Sequence, residues 1–172
     1  MSRITLRVGI LAAWLLVVAV ALFAIQGYER TLLHGQPVLL RLAPVDPRSL
    51  MQGDYMALRF AADSRLIDQP AEPGEASRSL PGFAHFKLDD RGRGEFDGMG
   101  DTPRTGTGTI SMRIRMIDGE PSVGPNAFFF QEGTGELYEE AQWGGFRVAG
   151  DGAALLESLH DADLKKIGSQ RR

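Results

Sequence analysis

Hydrophobic residues are distributed along the chain in three ways: one unbroken run, several period-two alternations, and one short stretch at helical spacing. The unbroken run covers residues 8–25 (VGILAAWLLVVAVALFAI), eighteen residues without a charge. As a helix it spans about 27 Å, close to the roughly 30 Å hydrocarbon core of a bilayer. A transmembrane anchor is therefore expected over residues 8–26, with Tyr28 placed where an interfacial ring belongs and Trp14 in mid-span. Arg3 and Arg7 precede the run, so the positive-inside rule puts residues 1–7 in the cytoplasm and residues after about 28 outside. A cleaved signal peptide is the competing reading, because Ala19-Val20-Ala21 has a small-x-small pattern. The run continues through Phe23 and Ile25, and that extra length favours retention.

Beyond the anchor the periodicity is mostly that of strands. Residues 36–43 (QPVLLRLA) place Val38, Leu40 and Leu42 on one face. Residues 44–53 turn into a second strand over 54–61, in which Met56, Leu58 and Phe60 share one face and Tyr55 and Ala57 the other. Residues 68–82 carry three prolines and two glycines and predict an exposed loop, as does the glycine-rich stretch 98–108. Between them a strand over 83–88 leads to a turn over 89–94. Residues 109–117 (TISMRIRMI) alternate most cleanly, with Ile110, Met112, Ile114 and Met116 on one side, and Asp118-Gly119 predicts a tight turn. AFFFQ, residues 127–131, predicts a dense central strand. Residues 135–143 are the one soluble helix, with Leu137, Tyr138 and Ala141 on a shared face and Gly144-Gly145 ending it. A closing hairpin over 146–159 completes a compact α+β domain, β-rich and mostly antiparallel, of about seven strands and one short helix. The expected organisation is the anchor, an exported domain over 30–160, and a basic polar tail over 161–172.

Composition narrows the function classes. With no cysteine among 172 residues, neither disulfides nor thiolate metal sites are possible. A net charge of −3 argues against a nucleic-acid partner, which would call for a basic face. His34, His85 and His160 lie far apart without carboxylates at ligand spacing, so no metal is expected, and no cofactor is implied. There is no G-x-S-x-G elbow, P-loop or dinucleotide fingerprint, and no catalytic residue can be named. Nothing in the sequence sets an oligomeric state.

Two resemblances bear on activity. Leu50-x-x-Gly53-Asp54 before a hydrophobic strand resembles the segment after the nucleophile in type I signal peptidases. The position of their serine is Val45 here, Ser49 is out of register, and Lys87 is the one lysine in the β-rich body, which disfavours that chemistry. Gly53-Asp54-Tyr55-x-x-Leu58-x-Phe60 resembles the signature of the bacterial GDYXXLXY family, with phenylalanine in place of the final tyrosine. The resemblance extends to Val45-Asp46-Pro47-Arg48 and to residues 128–148 (FFFQEGTGELYEEAQWGGFRV). It implies a single-pass protein of undefined activity in the bacterial inner membrane, its domain in the periplasm, working with a multi-spanning membrane protein.

The residues themselves support a structural role for Gly53 as the bend and Asp54 as its cap, with Tyr55, Leu58 and Phe60 shaping a strand. A binding role falls to Asp54, Tyr55 and Arg59, and Glu132, Tyr138, Glu139 and Arg147 are candidates for a polar network around the helix. The first reading is a non-enzymatic accessory or interaction domain. The alternative is an envelope hydrolase or small-ligand binder that pairs Asp54 with Glu132 or Glu139.

Overall fold

A computed structural model describes residues 3–43, 51–52, 55–67, 81–104 and 106–169. The chain opens with helix α1, Arg3–His34, which at 1.5 Å per residue is about 48 Å long. Most of its apolar side chains face outward, from Ile25 at 53 % exposure to Phe23 at 81 %. It is the one helix among the described residues that is long and apolar enough to cross a membrane.

The helix joins the domain through a single residue. Gly35 N–H donates to the Thr31 carbonyl, and Gln36 already pairs with Val148 in a sheet. Gly35 is needed for close approach, because a Cβ there would collide with Thr31 O and come within 3.1 Å of Val148 N.

The elements that follow are β1 (Gln36–Arg41), β2 (Met51–Gln52), β3 (Tyr55–Ala57), α2 (Ala61–Ile67), β4 (Phe83–Leu88), β5 (Gly94–Gly100) and β6 (Thr109–Arg113). After them come β7 (Arg115–Ile117), β8 (Glu120–Ser122), β9 (Ala127–Phe129), a 3₁₀ helix (Gly135–Tyr138), β10 (Trp143–Val148), β11 (Ala154–His160) and β12 (Lys166–Ser169). They form sheets in the orders β1-β10-β11-β12, β2-β3-β9, β5-β4-β6 and β7-β8, and every strand pair is antiparallel. The domain is α+β and β-rich, as the alternation predicts.

Its core gathers the inward faces of these sheets: Val38, Leu40, Met56, Leu58, Phe60, Phe86, Met112, Phe128, Phe146 and Leu159 are buried together. Phe60 and Phe146 meet edge to face at 5.2 Å. Two glycines make room for the Phe60 ring: a Cβ on Gly124 would overlap it, and one on Gly144 would sit 3.0 Å away.

Several expectations are corrected. The strand expected over 54–61 gives way after Ala57, and residues 61–67 form α2. Ala62 and Leu66, four apart and both buried, put a helical face on the core, and Asp63 in the first turn accepts the Phe60 N–H and starts the helix. The strand over 109–117 breaks at Ile114, whose N–H turns to the Gly82 carbonyl, and Met116 beyond the break is 58 % exposed. Residues 135–143 form a helical turn over Gly135–Tyr138 only, because Gln142 N–H is taken by the His160 carbonyl and Trp143 begins β10. The AFFFQ segment supplies a three-residue edge strand, not a central one. The loop expected from Gly98 starts later, since β5 runs to Gly100. The segment expected as a polar tail contributes β12, and the strands number twelve among the described residues. The turn at Asp118-Gly119 is as expected, with φ of 53° and 84° joining β7 to β8.

Candidate functional site

Gly53 and Asp54 lie outside the described residues, as do Val45-Asp46-Pro47-Arg48. The rest of the motif divides between the two faces of its strand. Met56, Leu58 and Phe60 are buried at 2 %, 4 % and 1 % exposure, with Met56 opposite Phe128 across the ladder. Phe60 sits where the family signature has tyrosine, and its fully enclosed position suits a ring without a hydroxyl to satisfy. Tyr55 points the other way. It is half-buried, pairs with Phe129 in the ladder, and its ring lies 5.8 Å from the Phe129 ring. Phe129 is 61 % exposed, so this sheet presents an aromatic outer face. Arg59 is exposed beside Glu120 at 3.9 Å.

Asp63 locks the inner face in place. Its Oδ2 accepts from Phe60 N–H at 3.1 Å and from Ser122 Oγ at 3.0 Å, while Oδ1 accepts from Val123 N–H at 3.0 Å. Burial raises its pKa, and the hydrogen bonds from Val123, Phe60 and Ser122 and the charge of Arg59 pull against that shift. One carboxylate thereby ties the end of the motif to the turn after β8.

The secondary candidates separate. Tyr138 is buried between Phe128 and Phe130, at ring distances of 5.3 and 5.1 Å, and packs on Gly168 of β12. Glu132 and Glu139 are exposed. Arg147 takes partners elsewhere, Glu157 at 2.8 Å and the Gly35 carbonyl at 3.4 Å. That ion pair, with Lys166 at 3.7 Å, lowers the Glu157 pKa, the Arg147 hydrogen bond contributing most. Among the described residues no group of three or more histidines and carboxylates could hold a metal ion.

Two serine–histidine pairs were not singled out from sequence. His85 on β4 and Ser111 on β6 are direct cross-strand partners, both buried, with Nδ1 and Oγ 2.8 Å apart. Ser111 Oγ accepts from Arg104 N–H at 2.7 Å and donates to Arg104 O at 3.1 Å. The single hydroxyl proton goes to a carbonyl that can only accept, so His85 Nδ1 donates to the serine. Burial lowers the His85 pKa, the charge of Arg104 adds to this, and Asp97 opposes it. Ser158 and His160 have the reverse arrangement. His160 Nδ1 lies 3.0 Å from the Leu164 carbonyl and therefore carries the proton. Nε2 is left as an acceptor, and the Ser158 hydroxyl donates to it at 2.9 Å. The Ser158-x-His160 spacing on a strand was a signal available from sequence, whereas the first pair needed the sheet register.

Residues 17–159 match the model of a protein family described as GDYXXLXY protein. No curated protein and no solved structure matches the chain.

Proposed function

This chain belongs to the GDYXXLXY protein family, and from that premise we propose that it is a membrane-anchored interaction domain whose aromatic outer face docks on a multi-spanning membrane protein. In this reading α1 crosses the bacterial inner membrane once, Arg3 and Arg7 stay on the cytoplasmic side, and the β-rich domain stands in the periplasm. The observation that carries it is the Tyr55–Phe129 pair: a motif residue packs on a ring that is 61 % exposed. The one-residue joint at Gly35 supports a membrane partner over a soluble one. Residues 26–34 continue the helix about 13 Å past the apolar run, so the domain is held at a short distance from the bilayer and not on a long tether.

The test is chemical crosslinking of the full-length protein in native membranes, followed by mass spectrometry, for wild type and for Tyr55→Ser/Phe129→Ser. A multi-spanning protein captured at near-equal amount by wild type and lost in the double variant is the expected result. Capture that survives in the double variant would remove the outer face from the contact.

A further inference from the structure

We propose that the cleft beside β6 binds an extended peptide segment, one residue of which pairs with Ser111 as an added strand. The inference goes beyond the docking role of Tyr55 and Phe129 and does not depend on it. It rests on the direction of the backbone groups of β6, an edge strand of its sheet. Pairs in an antiparallel ladder alternate between those that exchange both backbone bonds and those that exchange neither. Leu88 N–H donates to Gly108 O at 2.8 Å and Ile114 N–H to Gly82 O at 3.0 Å, which fixes that alternation at both ends of β6. Ile110 and Met112 therefore bond to β4, and Thr109, Ser111 and Arg113 turn their backbone N–H and C=O groups to the open side.

That side is closed at two points and open between them. Arg113 N–H donates to Gly152 O, in the turn after β10, at 2.9 Å, and Thr109 N–H donates to Gly106 O at 3.2 Å. Among the described residues nothing bonds to Ser111 N–H or C=O. At about 3.4 Å per residue, the edge from Thr109 to Arg113 is roughly 14 Å long, enough for about three extended residues. A cleft of about 270 Å³ opens on this edge, with buried Ser111, Ile110 and Val148 at its floor and His34, Gln36 and Ala149 on its walls. The Ser111 hydroxyl is enclosed by His85 and Arg104 on the face of the sheet, so it is the backbone of the strand that borders the cleft.

A donor and an acceptor from one residue on a strand edge are matched by the N–H and C=O of one residue in another extended chain. Gly152 already uses the neighbouring position in this way from within the domain. No carboxylate lines the cleft among the described residues, so an incoming peptide carbonyl meets no like charge. The hydrogen bonds from His85 and Arg104 to the Ser111 hydroxyl hold the strand in place before a segment arrives, which lowers the cost of ordering it.

The experiment follows the backbone amides of the full-length protein in detergent micelles by NMR while acetyl-trithreonine amide, a strand-forming probe, is added. Before addition, Ser111 N–H should exchange with solvent at least about tenfold faster than the N–H groups of Ile110 and Met112, which are bonded to β4. At about ten times its Kd the peptide should slow Ser111 exchange about tenfold and shift the amides of Ser111, Gln36 and Ala149. The same peptide N-methylated at its central residue cannot donate there and should leave Ser111 exchange unchanged. A Ser111 amide as protected as its neighbours without peptide would overturn the proposal, because the edge would then be filled from within. So would cleft amides that do not respond to tens of millimolar peptide, or that respond equally to the N-methylated form.

Discussion

On the inner face of β3, Met56 lies against Phe128, and beyond the strand Leu58 and Phe60 continue into the core, where the Phe60 ring is enclosed by Gly124, Gly144 and Phe146. One residue away on the outer face, Tyr55 meets Phe129, and most of that second ring is in solvent. Both faces come from one short stretch, and strand geometry alone assigns each side chain to its side. Inside, each contact is fixed by packing and a change is expected to appear in stability. Outside, the same residue types leave the fold nearly unaffected, and a change is expected to appear in association. The family motif therefore mixes residues enclosed in the core with one, Tyr55, whose ring packs on the exposed Phe129.

Four variants sharpen that contrast, from the largest expected effect to the smallest. Phe60→Ala should destabilise by about 3–5 kcal/mol in denaturant melts, the usual cost of emptying an enclosed aromatic site. Asp63→Ala should cost about 2–3 kcal/mol, because it strands the partly buried N–H groups of Phe60 and Val123. Tyr55→Ser/Phe129→Ser should stay within about 1 kcal/mol of wild type in the same melts, with the loss confined to partner capture. Arg59→Ala should change stability by less than about 0.5 kcal/mol, since its partner Glu120 is 3.9 Å away and both side chains are well exposed. A double variant as destabilising as Phe60→Ala would erase the distinction between the faces.

Acid gives a second handle, with opposite signs at two carboxylates. Asp63 has a raised pKa, so the folded chain holds its proton more tightly than the unfolded chain does. Its contribution is most favourable below the unfolded value of 3.8 and falls as pH rises through the folded value. Glu157 has a lowered pKa, so its contribution is present above 4.5 and is lost as pH falls toward its folded value. Thermal melts between about pH 7 and about pH 4 should show the penalty of Asp63→Asn growing with acid while that of Glu157→Gln shrinks. Penalties that move in the same direction would contradict the assignment.

The alternation of apolar residues made much of this legible beforehand. The apolar N-terminal helix, β1, β4, the Asp118-Gly119 turn and the β10–β11 hairpin follow from periodicity and turn chemistry, and so does the split of Tyr55 from Leu58 and Phe60. The misses share a cause, which is tertiary hydrogen bonding. Nothing local says that Ile114 N–H will leave its strand for Gly82, or that Gln142 will join His160 and stop the helix after Tyr138. The alternation that carries the expected strand to residue 61 hides the i, i+4 pair Ala62 and Leu66, which belongs to the helix Ala61–Ile67. Arg147 was grouped with Glu132 and Glu139 by proximity in sequence, whereas the ladder sets it beside Glu157. The His85–Ser111 pair was out of reach for a related reason: it exists only in the register of β4 against β6.

The most direct test of the docking face is a photocrosslinking side chain placed at Phe129 in the full-length protein and irradiated in native membranes. The same substitution at Met116, 58 % exposed on the β7–β8 hairpin, is the control. The account predicts one discrete adduct with a multi-spanning membrane protein at position 129 and none at 116. No adduct at 129, or the same adducts at both positions, would contradict it.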